Sequence, residues 1–142
     1  MVNKPFSVNL HTTYDDIGRT RAYRMFAKYF DVVLEDNPDE YGTDMIAYRN
    51  GQKVGYVEVE VRAAWDGAFP FDSLNIPYRK KKLLKNDLPT VLVAFNQQGT
   101  MAYLCKDSVV LASPVVEIHN KYMEKGEMFY QVPLDKIKLI TL

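Results

Sequence analysis

Three acidic side chains on two predicted neighbouring strands are the residues of this chain best suited to bind a metal ion. Asp44 opens one apolar stretch, and Glu58 and Glu60 lie in a Val-rich stretch that ends at Arg62. Because side chains alternate along a strand with period two, Glu58, Glu60 and Arg62 share one face, with successive members about 7 Å apart. Three carboxylates converging from two strands favour Mg²⁺ or Mn²⁺, since these hard cations prefer oxygen ligands.

A β-hairpin from Asp44 to Arg62 would position these acids. The dipeptide Asn50-Gly51 separates its two stretches, and Asn-Gly favours the type I′ turn that joins antiparallel strands. The apolar residues that alternate with the acids form the opposite, core-facing side of the second strand. Pairing of the two strands would bring Asp44 beside the two glutamates.

The same alternation is also typical of the solvated side of an ordinary hairpin. The stretch from Thr90 to Phe95, however, is apolar on both faces, which predicts a sheet covered on both sides. The Glu58 strand would then lie inside the sheet, where an unpaired carboxylate is costly. This consideration favours a functional site over a solvated face.

The segment Gly42-Thr43-Asp44, followed after thirteen intervening residues by Glu58-Val59-Glu60, resembles the core of the PD-(D/E)XK nucleases. In that family an Asp on one strand precedes an acid-x-Lys motif on the next strand. The resemblance implies that Asp44 and Glu58 hold a metal ion, and that a lysine positions the attacking water and stabilises charge. Here the lysine position holds Glu60 if the motif is read as Glu58-Val59-Glu60, and Arg62 if it is read two residues later, as Glu60-Val61-Arg62. An arginine is always charged and cannot act as a base.

The resemblance extends more loosely over residues 12–105 and implies a small endonuclease similar to Holliday-junction resolvases. We expect one α/β domain over residues 1–142, with a mixed central sheet flanked by helices in the order αβββαβ. The implied activity is Mg²⁺- or Mn²⁺-dependent cleavage of DNA, branched or single-stranded DNA included, by a homodimer that binds largely independently of sequence. The alternative hypotheses are a catalytically inactive relative that binds nucleic acid, and a module that binds another protein.

In this hypothesis the functional residues fall into three sets. The metal ligands are Asp44, Glu58 and Glu60. The positive charge at the reaction centre comes from Arg62 or from a lysine of residues 80–82, which could replace the missing strand lysine. The DNA backbone is bound by basic residues of two predicted helices, namely Arg21, Arg24 and Lys28 of the first and Arg79, Lys80, Lys81, Lys82 and Lys85 of the second. Both basic sets are also explained by the solvated faces of amphipathic helices.

The elements around the hairpin are predicted from periodicity and turn residues. Up to residue 105 they are a helix over 12–30, a strand over 31–36, an irregular aromatic connection over 63–71, a short helix over 77–85, a buried strand over 90–95 parallel to the Glu58 strand, and an antiparallel strand over 101–105. Trp65 in the connection could stack on a base or belong to the core. Beyond residue 105 the patterns are weaker and indicate a strand over 115–118, a polar turn over 121–127, and edge strands over 129–132 and 137–141.

Composition and motifs disfavour several other classes of protein. The chain has 18 basic and 18 acidic residues, so its net charge of zero does not indicate a class of partner, and only the distribution of charge can do so. The single cysteine, Cys105, excludes an internal disulfide and a Cys-based zinc site. No Gly-rich phosphate loop, hydrolase elbow or zinc-protease motif is present. The first ten residues lack the apolar core of a signal peptide, and we expect a cytoplasmic protein.

Overall fold

A long helix packs on one face of a six-stranded mixed sheet, and a three-stranded sheet covers the other face of an α/β domain with few helices. The computed structural model describes residues 8–120 and 123–142. Its helices are α1 (Val8–Phe30), α2 (Asp107–Leu111) and two 3₁₀ helices (Tyr78–Leu84 and Leu134–Lys136). Its strands are β1 (Val33–Asp36), β2 (Met45–Arg49), β3 (Gln52–Arg62), β4 (Ser73–Pro77), β5 (Thr90–Asn96), β6 (Met101–Lys106), β7 (Val115–Asn120), β8 (Met123–Pro133) and β9 (Lys138–Thr141).

The large sheet has the order β1-β2-β3-β5-β6-β9, and the small sheet has the order β4-β8-β7. Strands β2 and β3 form the predicted hairpin, with Asn50 and Gly51 both at positive φ (52° and 76°), as a type I′ turn requires. Strand β5 runs parallel to β3, with Leu92 opposite Glu58, and β6 returns antiparallel to β5. These sequence predictions are confirmed.

Two hydrophobic clusters cover the two faces of the large sheet. Alternate residues of β5 supply both clusters: Val93 and Phe95 face α1, while Leu92 and Ala94 face the small sheet. On β3, Val57 belongs to the α1 cluster, so Glu58 lies on the face toward the small sheet. The prediction of a sheet covered on both sides is therefore confirmed, and it explains why β5 is apolar on both faces. The prediction that helices flank the sheet was wrong for one face, which the small sheet covers.

Several sequence predictions were wrong in detail. The segment 77–85 forms a 3₁₀ helix over Tyr78–Leu84 rather than an α-helix. Four consecutive cations offer no favourable i,i+4 pairs, and so short a segment gains little from helix cooperativity. Strand β4 and helix α2 were not predicted. Strand β4 nevertheless alternates Leu74 and Ile76 between Pro70 and Pro77, a pattern that a longer window obscures.

The other differences concern the small sheet and the aromatic connection. Residues 123–127 belong to β8 rather than to a polar turn, and residues 121–122 lie outside the described residues. Residues 129–132 lie in the central strand of the small sheet, whereas β9 is an edge strand as predicted. Trp65 is buried and stacks on Tyr103 with ring centroids 5.2 Å apart, so it belongs to the core.

No helix among the described residues is long and apolar enough to span a membrane.

Candidate active site

Asp44 and Glu58 are held side by side by the β2–β3 hairpin. Asp44 immediately precedes β2, and the pairing of Met45 with Val57 places it next to Glu58 on β3. The backbone N–H of Asp44 donates to Glu58 Oε1 at 3.2 Å, and the backbone N–H of Val59 donates to Asp44 Oδ2 at 2.8 Å. Each carboxylate is thus oriented by the backbone of the other strand, which fixes the position of both.

The Glu58 carboxyl group is buried, with only 7% of the residue exposed. It lies on the covered face of β3, and β3 is flanked by β2 and β5. Burial, and secondarily the charge of Asp44, raise the pKa of Glu58 from its ordinary value to about 7, against the opposing effect of Lys80. A carboxyl group in this environment exchanges a proton near neutral pH.

Lys80 of the first 3₁₀ helix places an ammonium group against the two glutamates. Its Nζ donates to Glu58 Oε2 at 3.1 Å and lies 3.8 Å from Glu60 Oε2. Burial lowers the pKa of Lys80, but the carboxylates of Glu60 and Glu58 outweigh this effect and hold it above its ordinary value. Lys80 is therefore an ammonium ion at neutral pH, able to donate hydrogen bonds and not to accept a proton. Of the lysines at 80–82, it is Lys80 that the structure places at the carboxylates.

Glu60 and Arg62 form a second part of the cluster that connects the two sheets. Arg62 donates from Nε to Glu60 Oε1 at 2.8 Å, and its Nη2 lies 2.7 Å from the same oxygen. The same Nη2 donates to the backbone carbonyl of Asn75 in β4 at 2.7 Å. Glu60 is therefore engaged by Arg62 and Lys80, and Arg62 ties β3 to the small sheet. The contribution of β4 was missed from sequence because that strand was not predicted.

Asp44 and Glu58 offer carboxylate oxygens, the ligands that a hard cation prefers, and such a cation would compete with Lys80 for Glu58 Oε2. Among the residues that the structure describes, no group of three or more His, Cys, Asp or Glu side chains is arranged to hold a metal ion. The structure brings Asp44 and Glu58 together, whereas Glu60 lies with the two cations. In Asp44, the oxygen Oδ2 accepts the hydrogen bond from the backbone N–H of Val59. The other oxygen, Oδ1, does not take part in this hydrogen bond. Two carboxylates are sufficient for Mg²⁺, which usually keeps several waters.

The other basic residues of segment 79–85 either contact other side chains or are exposed. Arg79 forms an ion pair with Glu127 of β8. The Lys81 ammonium hydrogen-bonds the Tyr78 hydroxyl at 3.0 Å. Lys82 and Lys85 are exposed.

The basic residues of α1 lie on the other side of the large sheet. Arg21 is half-buried and donates to the backbone carbonyls of Asn96 and Gln97, both at 3.2 Å, so it holds the β5–β6 turn. Arg24 and Lys28 are exposed. Because α1 and the 3₁₀ helix cover opposite faces of the sheet, the structure does not bring the two predicted basic sets together.

Comparisons of the chain with models of protein families, with curated proteins and with solved structures gave no match. The functional conclusions therefore depend on the geometry of the site and on the motif in the sequence.

Proposed function

We propose that this protein is a Mg²⁺- or Mn²⁺-dependent nuclease that hydrolyses DNA phosphodiester bonds. The observation that carries the proposal is the contact of Lys80 Nζ with Glu58 Oε2, 3.1 Å, beside an Asp44 carboxylate fixed by the same hairpin. An Asp, a Glu and a Lys are the three side-chain types of the nuclease motif that the sequence resembles. In this chain the lysine comes from the 3₁₀ helix instead of from the strand.

The order of elements supports a nuclease-like core. Helix α1 is followed by three antiparallel strands, β1 to β3, and then by a crossover to β5, which is parallel to β3. The crossover contains the 3₁₀ helix where the family pattern αβββαβ has its second helix, and it also contains the added strand β4. The 3₁₀ helix packs against β4, β5 and β8, and its Lys80 side chain reaches Glu58 and Glu60 of β3, so the lysine is supplied from outside the strand.

In the proposed reaction Asp44 and Glu58 would hold the metal ion. The chemistry supplied by a bound Mg²⁺ or Mn²⁺ is the activation of a water molecule and the neutralisation of phosphate charge. The Lys80 ammonium donates hydrogen bonds to oxygens that gain negative charge as the phosphorus is attacked, and burial strengthens this interaction. Arg62 holds Glu60 in place, and Glu60 in turn helps to position Lys80.

DNA would approach from the side of the 3₁₀ helix. Lys82 and Lys85 are exposed there and are able to contact backbone phosphates, so binding depends strongly on salt and little on sequence. Arg24 and Lys28 lie across the sheet and would reach only a long or bent duplex. A homodimer would carry two sites and could cut both strands.

Nicking of supercoiled plasmid DNA in the presence of Mg²⁺, Mn²⁺ or a chelator tests the proposal. We expect metal-dependent nicking by the unmodified protein and its loss in Asp44→Asn and Lys80→Met. Lys106→Met is the matched control, because it removes an exposed lysine of β6 that is not among the proposed DNA contacts, and it should retain most of the activity. No nicking by the unmodified protein with either metal, or full activity in Lys80→Met, would contradict the proposal. Circular dichroism of each variant separates a chemical defect from unfolding.

The second candidate function is DNA binding without catalysis, and one observation favours it. The Lys80 ammonium already neutralises Glu58 and Glu60, and in this respect it takes the place of a cation. An inactive protein of this kind would retain DNA but show no rise in melting temperature with Mg²⁺. The nuclease hypothesis predicts that the melting temperature rises with Mg²⁺ and that Asp44→Asn abolishes the rise.

A further inference from the structure

Helix α1 covers only part of its face of the large sheet and leaves an apolar groove beside its C-terminal end. Six strands spaced about 4.8 Å apart are wider than one helix of about 10 Å diameter can cover. The groove has a volume of about 570 Å³. Phe26 and Phe30 of α1 form one wall, and Val54, Val91 and Leu104 of three strands form much of its floor.

The rim of this groove is positively charged. Its lining includes four cations, Arg49, Lys106, Lys136 and Lys138, and no carboxylate. Arg49 donates to the backbone carbonyl of Phe30 at 3.0 Å and so caps the end of α1. The three lysines are exposed, and among the side chains that the structure describes (residues 16–119 and 125–142) none pairs with a carboxylate. One face of the groove thus attracts apolar groups, and its rim attracts anions.

We propose that the groove binds an amphipathic anion, namely an acyl chain with a terminal carboxylate. Its size is within the range of about 300–1,000 Å³ that is typical of small-molecule sites. The phenylalanine wall and the floor of valine and leucine offer an acyl chain apolar contact along its length. The carboxylate would remain at the rim, near the lysines, where it keeps part of its hydration.

This site is separate from the acidic cluster. Val57 lines the groove, and the next residue of β3, Glu58, points to the opposite face of the sheet. The proposal therefore does not depend on nuclease activity, and it is tested without DNA or metal ion.

Isothermal titration with decanoate, and with decanol as the neutral control, tests the proposal. We expect decanoate to bind more tightly than decanol. Replacing Lys106, Lys136 and Lys138 together by glutamine should weaken the affinity for decanoate about tenfold, since each exposed charge pair contributes roughly two- to threefold. The affinity for decanol should be unchanged. Leu104→Trp should abolish binding of both ligands, because the indole fills the floor. Lys82→Gln with Lys85→Gln is the matched control and should bind decanoate normally.

Three results would overturn the proposal. Decanoate that fails to bind at millimolar concentration would exclude an acyl carboxylate as the ligand. If the triple lysine variant lost affinity for decanoate and decanol equally, the charges at the rim would not recognise the anion. Sedimentation velocity that shows a dimer dissociated by Leu104→Trp would assign the groove to contact between two copies of the chain.

Discussion

Replacing Lys80 by methionine should destabilise the protein in a manner that depends on pH. The ammonium lies 3.1 Å from Glu58 Oε2, and at an effective dielectric constant of about 20 two unit charges at this distance attract by about 5 kcal/mol. Desolvation of the lysine offsets part of this attraction. Removing one member of a buried ion pair costs about 3–5 kcal/mol, because the other charge is left without its partner. We therefore expect a loss of about 3 kcal/mol at pH 8.5.

The loss should be much smaller at pH 5.5, because Glu58 can then become neutral. The pKa of Glu58 is raised in the folded protein, so its contribution to stability is complete below the unfolded-state pKa and is lost as the pH rises through the folded value of about 7. Without Lys80 that pKa rises further, and the folded state must retain a proton that the unfolded state releases. The difference in free energy of unfolding between Lys80→Met and the unmodified protein therefore grows with pH.

Urea denaturation followed by circular dichroism at pH 5.5 and pH 8.5 measures this difference. Lys82→Met is the control and should change stability by no more than about 0.5 kcal/mol at either pH, as is usual for an exposed side chain. The double variant Lys80→Met with Glu58→Gln should recover much of the loss at pH 8.5, since both charges are then absent. An equal loss at both pH values, or a control as unstable as Lys80→Met, would refute the reasoning.

Three further predictions concern the metal ion and the turn between β5 and β6. Asp44→Asn should weaken Mg²⁺ binding, measured by titration calorimetry, at least about tenfold, because a carboxylate is replaced by a neutral amide. Mg²⁺ affinity should fall by about tenfold for each pH unit below 7, because Glu58 must release its proton to bind the ion, and calorimetry in buffers of different ionisation enthalpy should detect that proton. Asn96→Ala should lower the free energy of unfolding by about 2–3 kcal/mol, measured with urea, because this buried amide accepts from the N–H groups of Thr100 and Met101 and donates to the Thr100 hydroxyl.

The central hairpin and the strands that follow it were predictable because local patterns determine them. Asn50-Gly51 sets the turn, and the doubly apolar stretch from Thr90 to Phe95 indicates a strand buried on both faces. The turn and the buried strand required no knowledge of distant contacts. The turn alone would place Asp44 opposite Val57, and a one-residue shift of register between Ala47 and Tyr48, which was not predicted, brings Asp44 beside Glu58.

The position of Lys80 depends on contacts far along the chain and was predicted only as one of three lysines. A run of four cations carries no signal that tells which of them turns inward. That choice is made by the packing of the 3₁₀ helix against β4, β5 and β8, and β4 was itself missed. The small sheet was poorly predicted because its strands lack a continuous alternating pattern. Strand β4 is short, and β8 contains charged residues at exposed positions.

Lys80 and the two carboxylates belong to different elements of the fold, so local opening of the structure can separate them. The two carboxylates are attached to the hairpin, whereas the ammonium arrives only when the small sheet and its 3₁₀ helix are docked. A transient separation of these layers would leave Glu58 hydrated and without its cation, while the hairpin stayed intact. Amide hydrogen exchange should therefore be faster for the 3₁₀ helix than for β3. The fraction of molecules in which Lys80 contacts Glu58 would be set by that opening equilibrium.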